Sequence, residues 1–278
     1  MHKSGFVNII GNPNVGKSTL MNALVGERLS IITSKAQTTR HRILGIVNGD
    51  DFQIVYSDTP GILKPNYKLH ESMMKVVQGA LKDADIILYV TDVTEGTEHR
   101  NEFVDKILRS GIKTILVINK IDLTTPDKLE QLVDEWRHIL PDALIVPVSA
   151  AHNFNIGGLF DRILELLPEG EPFYPKDALT DKSLRFFASE IIREKILLNY
   201  EKEIPYSVEI SIEEYKEVKE RYDFMKAQVT DVEKSRAELN RMIAELCSEM
   251  QEMFTASFKE INRNFGAIFR ELFGGGSA

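Results

Sequence analysis

The sequence predicts an α/β fold: a doubly wound domain, then a short helix-strand segment and a long C-terminal helix. Three observations carry this. Short apolar runs alternate with helical patterns from Phe6 to about Leu166. A glycine-rich turn, Gly11 to Ser18, joins the first run to the first helical pattern. From Glu213 onward the apolar residues fall into heptad register. Strand-helix alternation of this kind builds a largely parallel sheet covered by helices on both faces.

The elements follow in order. Phe6-Val7-Asn8-Ile9-Ile10 is an apolar strand, and the helix beginning at Lys17 carries Leu20, Met21, Ala23 and Leu24 inward. Arg42 to Val47 and Phe52 to Tyr56 read as a hairpin through the turn Asn48-Gly49-Asp50-Asp51. Ile86 to Val90, Thr114 to Ile118 and Leu144 to Val148 are continuous apolar runs, as strands buried on both faces require. Helical patterns lie near 71–82, 98–110, 126–139 and 156–166. The domain is bounded as 1–167, with a proline-rich linker at 168–182. A segment at 183–217 holds an amphipathic helix, Leu184 to Leu198, and a strand, Tyr206 to Ile212. In the last segment, 218–278, Val218, Tyr222, Met225, Val229, Val232, Leu239, Ile243, Leu246, Met250 and Met253 form a heptad seam. The seam then shifts by one position to Phe254, Phe258, Ile261, Phe265, Ile268 and Leu272 before a flexible end at Gly274 to Ala278.

Composition narrows the function classes. No apolar run has the 18 or more residues a membrane span needs. The N-terminus runs straight into a strand, which predicts no signal peptide. Cys247 is the only cysteine, so neither a disulfide framework nor a cysteine metal site is expected, and it is read as a buried seam residue. The expectation is a cytoplasmic protein, with a peripheral position at the inner membrane left open. A net charge of −8 offers no global attraction to nucleic acid.

The chemistry sits in four motifs. Gly11-Asn12-Pro13-Asn14-Val15-Gly16-Lys17-Ser18-Thr19 has the spacing of a phosphate loop between strand and helix. Its backbone N–H groups and the helix N-terminus face phosphate, Lys17 reaches the β- and γ-phosphates, and Ser18 offers its hydroxyl to Mg2+. Asp58-Thr59-Pro60-Gly61 ends a strand with a carboxylate for the metal side and a glycine free to approach the γ-phosphate. Asn119-Lys120-Ile121-Asp122 selects the base. Asp122 accepts from N1–H and the 2-amino group of guanine, groups that adenine lacks, while Asn119 faces the opposite edge and the Lys120 stem covers the ring. In Val148-Ser149-Ala150 the backbone N–H of Ala150 is directed at the guanine O6. Within Gln37-Thr38-Thr39-Arg40-His41 one threonine completes the Mg2+ shell, Thr39 being preferred and Thr38 the alternative. Catalytic roles thus fall on Lys17, Thr39 and Gly61, and the metal set is Ser18, Thr39 and Asp58. Ile62 stands where Ras-like enzymes carry a water-orienting glutamine. An aliphatic side chain cannot orient water, so slow intrinsic turnover is expected.

These motifs, with Lys35-Ala36-Gln37-Thr38-Thr39-Arg40-His41, Ser189 to Lys195 and Ile204 to Val208, resemble the Era family of bacterial GTPases over about residues 3–217. The resemblance implies binding to 16S ribosomal RNA and to the small ribosomal subunit during assembly. By analogy with related GTPases, Asn14 helps hold a K+ ion that compensates for Ile62. Era proteins continue into a KH domain, whose Gly-x-x-Gly loop clamps RNA. Here only its first helix and strand are matched. The tail from 213 carries ten Lys/Arg against thirteen Asp/Glu and is no basic RNA stripe. Residues 218–278 instead resemble the coiled coil entering the C-terminal head of structural-maintenance-of-chromosomes ATPases, through Arg221-Tyr222-Asp223-Phe224, Ile261 to Phe265 and Leu272 to Gly276. Self-association through this helix is the alternative role expected for the chain.

Overall fold

A computed structural model of the chain describes residues 2–35, 38–63, 65, 68–96, 102–200, 208–212 and 215–273, with backbone alone for 102, 215–221 and 269–273. Six strands are present: β1 Lys3–Gly11, β2 Ile43–Asn48, β3 Phe52–Asp58, β4 Ile86–Asp92, β5 Lys113–Asn119 and β6 Leu144–Pro147. The helices are α1 Lys17–Val25, α2 Lys68–Lys82, α3 Glu102–Ser110, α4 Pro126–Ile139, α5 Ile156–Leu166, α6 Leu184–Asn199 and α7 Tyr215–Phe273. The sheet order is β2-β3-β1-β4-β5-β6. Only β2 runs antiparallel, paired to β3 from Ile43↔Asp58 to Asn48↔Gln53, as the hairpin reading anticipates.

Two apolar layers clamp the sheet. On one face Val7, Ile9, Ile54 and Leu88 pack with Leu20 and Met21 of α1 and Leu159 and Ile163 of α5. On the other, Ile10, Ile87, Leu116 and Ile118 pack with Val77 of α2, Val104 and Ile107 of α3, and Trp136 of α4. Every residue of β4 is buried, which is why its run shows no alternation. Each fully buried isoleucine, leucine or valine among them contributes about 1.5–3 kcal/mol over its exposed state. Trp136 is packing, edge-on to Tyr89 with ring centroids 5.9 Å apart.

This topology positions the site. The chain passes from β1 to β3 on one side and then crosses to β4 on the other. The crevice beyond the C-terminal end of β1 is therefore the switch point where ligands of such sheets bind.

The proline-rich segment after α5 is held against the sheet. Gln53 donates to the Tyr174 carbonyl (2.8 Å) and accepts from the Phe173 and Tyr174 N–H groups (2.7 and 2.9 Å). Farther on, the Leu179 carbonyl accepts from Ile46 N–H (2.8 Å), and Asp181 accepts from Leu44 N–H (3.2 Å). Phe6, Tyr174 and Ala178 pack on Leu44, Ile46 and Val55. The helix expected at Leu184 forms with Ser183 as its N-cap, accepting from Phe186 N–H.

Two expectations meet corrections. The strand predicted over Tyr206 to Ile212 is not formed in the described part, 208–212, and residues 201–207 lie outside the described residues. An isolated strand has no neighbour to complete its backbone hydrogen bonds. Cys247, read as buried, is exposed, because the α7 seam is itself exposed: Met225, Val229, Leu239, Ile243, Leu246 and Met250 are all at least half accessible. The chain divides into two compact units, 1–212 and 213–278. The second is essentially the helix α7, which runs unbroken through Gly266. The residues read as a flexible end, 274–278, lie outside the described set, as does the start of the helix predicted from 98.

Candidate active site

The phosphate loop occupies Asn12–Gly16 between β1 and α1. Two left-handed residues, Asn14 (φ 65°) and Gly16 (φ 93°), turn its backbone. At Gly16 glycine is required twice over, since a Cβ would also stand 2.3 Å from Asn119 Nδ2. Val15 is fully buried and anchors the loop in the core, while Thr19 lines the cleft beside Ser18. Lys17 is buried at the loop's centre and donates to the Asn12 carbonyl (2.6 Å). Burial lowers its ammonium to about 8, against the opposing pull of Asp58 and Glu95.

The three residues expected on the metal side are drawn together from three segments. Ser18 Oγ lies 2.9 Å from Thr39 Oγ1 and donates to Asp58 Oδ2 (2.7 Å), to which Thr39 also donates (3.3 Å). Burial pushes the Asp58 carboxyl upward; hydrogen bonds from Ser18 and the charge of Lys17 oppose it. Its Oδ1 is buried without a hydrogen-bond partner. Thr38 is the less central of the two threonines: its hydroxyl is engaged by Thr33 and the Lys35 carbonyl, both at 2.6 Å. Gln37 lies outside the described residues. Gly61 presses on the phosphate loop so closely that a Cβ would meet Pro13 N at 2.8 Å. The next N–H, of Ile62, donates to the Gly11 carbonyl (3.0 Å), and the Ile62 side chain enters the core. His41 sits beside Phe186, centroids 6.1 Å apart.

On the base side the motifs brace one another. Asn119 donates to the Val15 carbonyl (2.8 Å) and accepts from Ala150 N–H (3.0 Å). The sequence reading directs both groups at the base; here each holds the protein together, tying the phosphate loop to the turn after β6. Lys120, left-handed at φ 59°, stretches across the cleft so that Nζ donates to the Asn14 carbonyl (2.7 Å) and to Asp92. Ser149 Oγ donates to Asp122 Oδ1 (2.5 Å), and this bond above all holds the Asp122 carboxyl below the usual carboxylate range.

Asp92 and Glu95 escaped the sequence reading. Burial acts to raise the Asp92 carboxyl, but hydrogen bonds from Lys120 and Thr94 outweigh it and leave it lowered. Glu95 accepts from Asn12 and Thr91, both at 3.3 Å, and burial beside Asp92 raises its carboxyl. The available signal was positional: Asp92 ends β4 just as Asp58 ends β3 and Asn119 ends β5.

A glycine-turned phosphate loop, a carboxylate among hydroxyls and the Asn119–Asp122 motif, all at or beyond the C-terminal ends of parallel strands, define a P-loop GTPase. Residues 6–120 match the family described as 50S ribosome-binding GTPase. The chain is 39% identical to GTPase Era of Syntrophus aciditrophicus (strain SB) over 275 residues, which cover 98% of this chain and 90% of that protein. It belongs to the Era family of GTPases. Among solved structures, Era in complex with MgGDPNP and nucleotides 1506–1542 of 16S ribosomal RNA is 43% identical with a TM-score of 0.74, covering 77% of this chain and 73% of the other. A tyrosine-to-alanine variant of Aquifex aeolicus Era bound to GDP and AlF4− is also 43% identical, with a TM-score of 0.73 over 76% of this chain and 73% of its own.

Proposed function

We propose that this GTPase is a Mg2+-dependent switch of slow intrinsic turnover that binds 16S ribosomal RNA in small-subunit assembly. The Ser18–Thr39–Asp58 cluster carries the switch reading. Two hydroxyls and a carboxylate are the hard oxygen donors Mg2+ prefers, and the orphaned Asp58 Oδ1 supplies a further acceptor without a partner. These residues fit the ion. Bound there, Mg2+ would neutralise charge on the β- and γ-phosphate oxygens.

The chain's own groups do the rest. Lys17 exchanges the Asn12 carbonyl for phosphate oxygens, which restores the full charge that burial weakens. Gly61 gives the γ-phosphate backbone without a side chain in the way. Asp122, already oriented by Ser149, accepts from the guanine edge, while Lys120 covers the ring. The core-facing Ile62 side chain has no means of holding the attacking water. K+ held near Asn14 is the proposed compensation, read out as faster turnover in KCl than in NaCl.

RNA binding is inferred from the relative solved with 16S ribosomal RNA; the matched family description names the large subunit instead. The relative solved with that RNA matches 77% of this chain, against residues 6–120 for the family description, so the small subunit is preferred. We read 1–167 as the GTPase domain, 168–182 as linker, 183–217 as a partial KH-like segment and 218–278 as the heptad helix. The test is binding of the GTP-loaded chain to the small subunit and to a fragment from the 3′ end of its RNA, across a salt series. Nucleotide-dependent binding that survives moderate salt is expected. Intact GTP affinity with no RNA binding would remove the ribosomal role.

The exposed seam of α7 favours a second reading, self-association of the chain through that helix. Among the described residues no helix is long and apolar enough to cross a membrane.

A further inference from the structure

The described residues of the loop that carries Thr39, 28–35 and 38–41, are gripped along one side by α6 and the segment after it. Arg193 is 4% exposed, yet it projects from a helix lying on the domain's surface. Its Nε donates to Glu190 Oε1 (2.8 Å), and Nη2 donates to Glu190 Oε2 (2.5 Å) and to the Thr38 carbonyl (2.5 Å). Glu194, one residue on and 3% exposed, accepts from Ile32 N–H (3.2 Å) and from the Arg28 guanidinium. Arg40 in turn donates to the Val208 carbonyl (2.8 Å).

A buried ion pair is a poor device for stability, because desolvation consumes most of its attraction. What this one achieves is placement. The carbonyl it holds belongs to the peptide joining Thr38 to Thr39, and the Thr39 hydroxyl rests on Ser18 and Asp58. A continuous chain of bonds therefore runs from Glu190 through Arg193 and one peptide unit to the metal-side cluster. We propose that Arg193, oriented by Glu190, is a positioning residue for GTP binding and hydrolysis, fixing the Thr38–Thr39 peptide so that Thr39 stays at the Mg2+ side of the site. The inference rests on the reading of Thr39 given above.

The position of Thr39 matters when a γ-phosphate is bound and matters little for GDP. Loss of the Arg193 tether therefore weakens GTP more than GDP, which simple destabilisation of the fold would not do. The informative variant is Glu190→Met with Arg193→Met, which removes both charges and leaves apolar stems of similar length. Arg193→Lys keeps the charge beside Glu190 with a single ammonium in place of the fork, and reads the same ratio should the double variant fail to fold. Thr39→Ala is the control. The measurements are Kd for a non-hydrolysable GTP analogue and for GDP in Mg2+ buffer, and amide hydrogen exchange of residues 38–41 without nucleotide.

In the double variant we expect GTP-analogue affinity to fall about 5–30-fold, GDP affinity to hold, and exchange at 38–41 to quicken. Arg193→Lys should fall between. A wild-type ratio in the double variant and in Arg193→Lys, with Thr39→Ala lowering it, overturns the role of Arg193. A wild-type ratio in Thr39→Ala overturns the site reading beneath it.

Discussion

Glu95 shows at the scale of one residue how the site bears on stability. Its raised carboxyl means that the folded chain holds a proton that the unfolded chain has released, between the ordinary value and the raised one. Stability therefore falls as pH rises through that window, and the charged form remains a burden above it. Glu95→Gln keeps hydrogen-bonding capacity toward Asn12 and Thr91 and removes the charge. We expect its Tm to exceed that of the parent at pH 7 and the two to converge toward pH 4, followed by thermal melts across that range. Asp122 is the residue proposed to govern selectivity. In Asp122→Asn two charge-assisted hydrogen bonds to guanine are lost, so GTP affinity should drop on the order of 10²–10⁴ while xanthine nucleotides gain. Competition binding reads this directly, and unchanged guanine preference would defeat the assignment. The placing of Gly16, Lys17, Asp58 and Asp122 at or beyond the strand ends was legible because each motif is spaced to follow a strand. The bracing roles of Asn119 and Ala150 were not, since contacts across 31 residues of sequence leave no local pattern.

Among the elements, strands and helices of the GTPase domain follow the periodicity closely, because each carries an apolar run or stripe that the sheet and its helices bury. Ile86 to Asp92 and Ile156 to Leu166 are examples. The grip of α6 on the loop was visible only as an oddity: Glu190, Arg193, Glu194 and Leu197 share the spacing of a buried face, three of them charged, and all four are buried. In α7 the seam itself argues for a geometry. Arg236 occupies a core position of the heptads, and parallel in-register pairing would set it against its own copy. An antiparallel pair centred near residue 234 instead places Arg236 beside Val232, Leu239 beside Val229, Ile243 beside Met225 and Leu246 beside Tyr222. We expect a dimer by sedimentation at micromolar concentration, reduced to monomer by Ile243→Asp with Leu246→Asp. A strictly monomeric parent would dismiss the second reading.

For the whole molecule the division at residue 212 sets how it comes apart. The first unit has a sheet clamped between two apolar layers; the second is a single helix whose own hydrogen bonds do not ensure its stability. Unfolding should show two calorimetric transitions, with only the one belonging to α7 shifting upward as protein concentration rises. One concentration-independent transition would contradict that division. The proline-rich segment adds something different. Strand β2 is an outer edge of the sheet, and the Leu44 and Ile46 N–H groups that face outward from it are taken up by Asp181 and Leu179 of the same chain. An uncovered edge invites a strand from another molecule and, with it, aggregation. A stretch that reads as a mere connector thus keeps the rim of the sheet closed to strangers, and shortening it would harm solubility before it touched GTP hydrolysis.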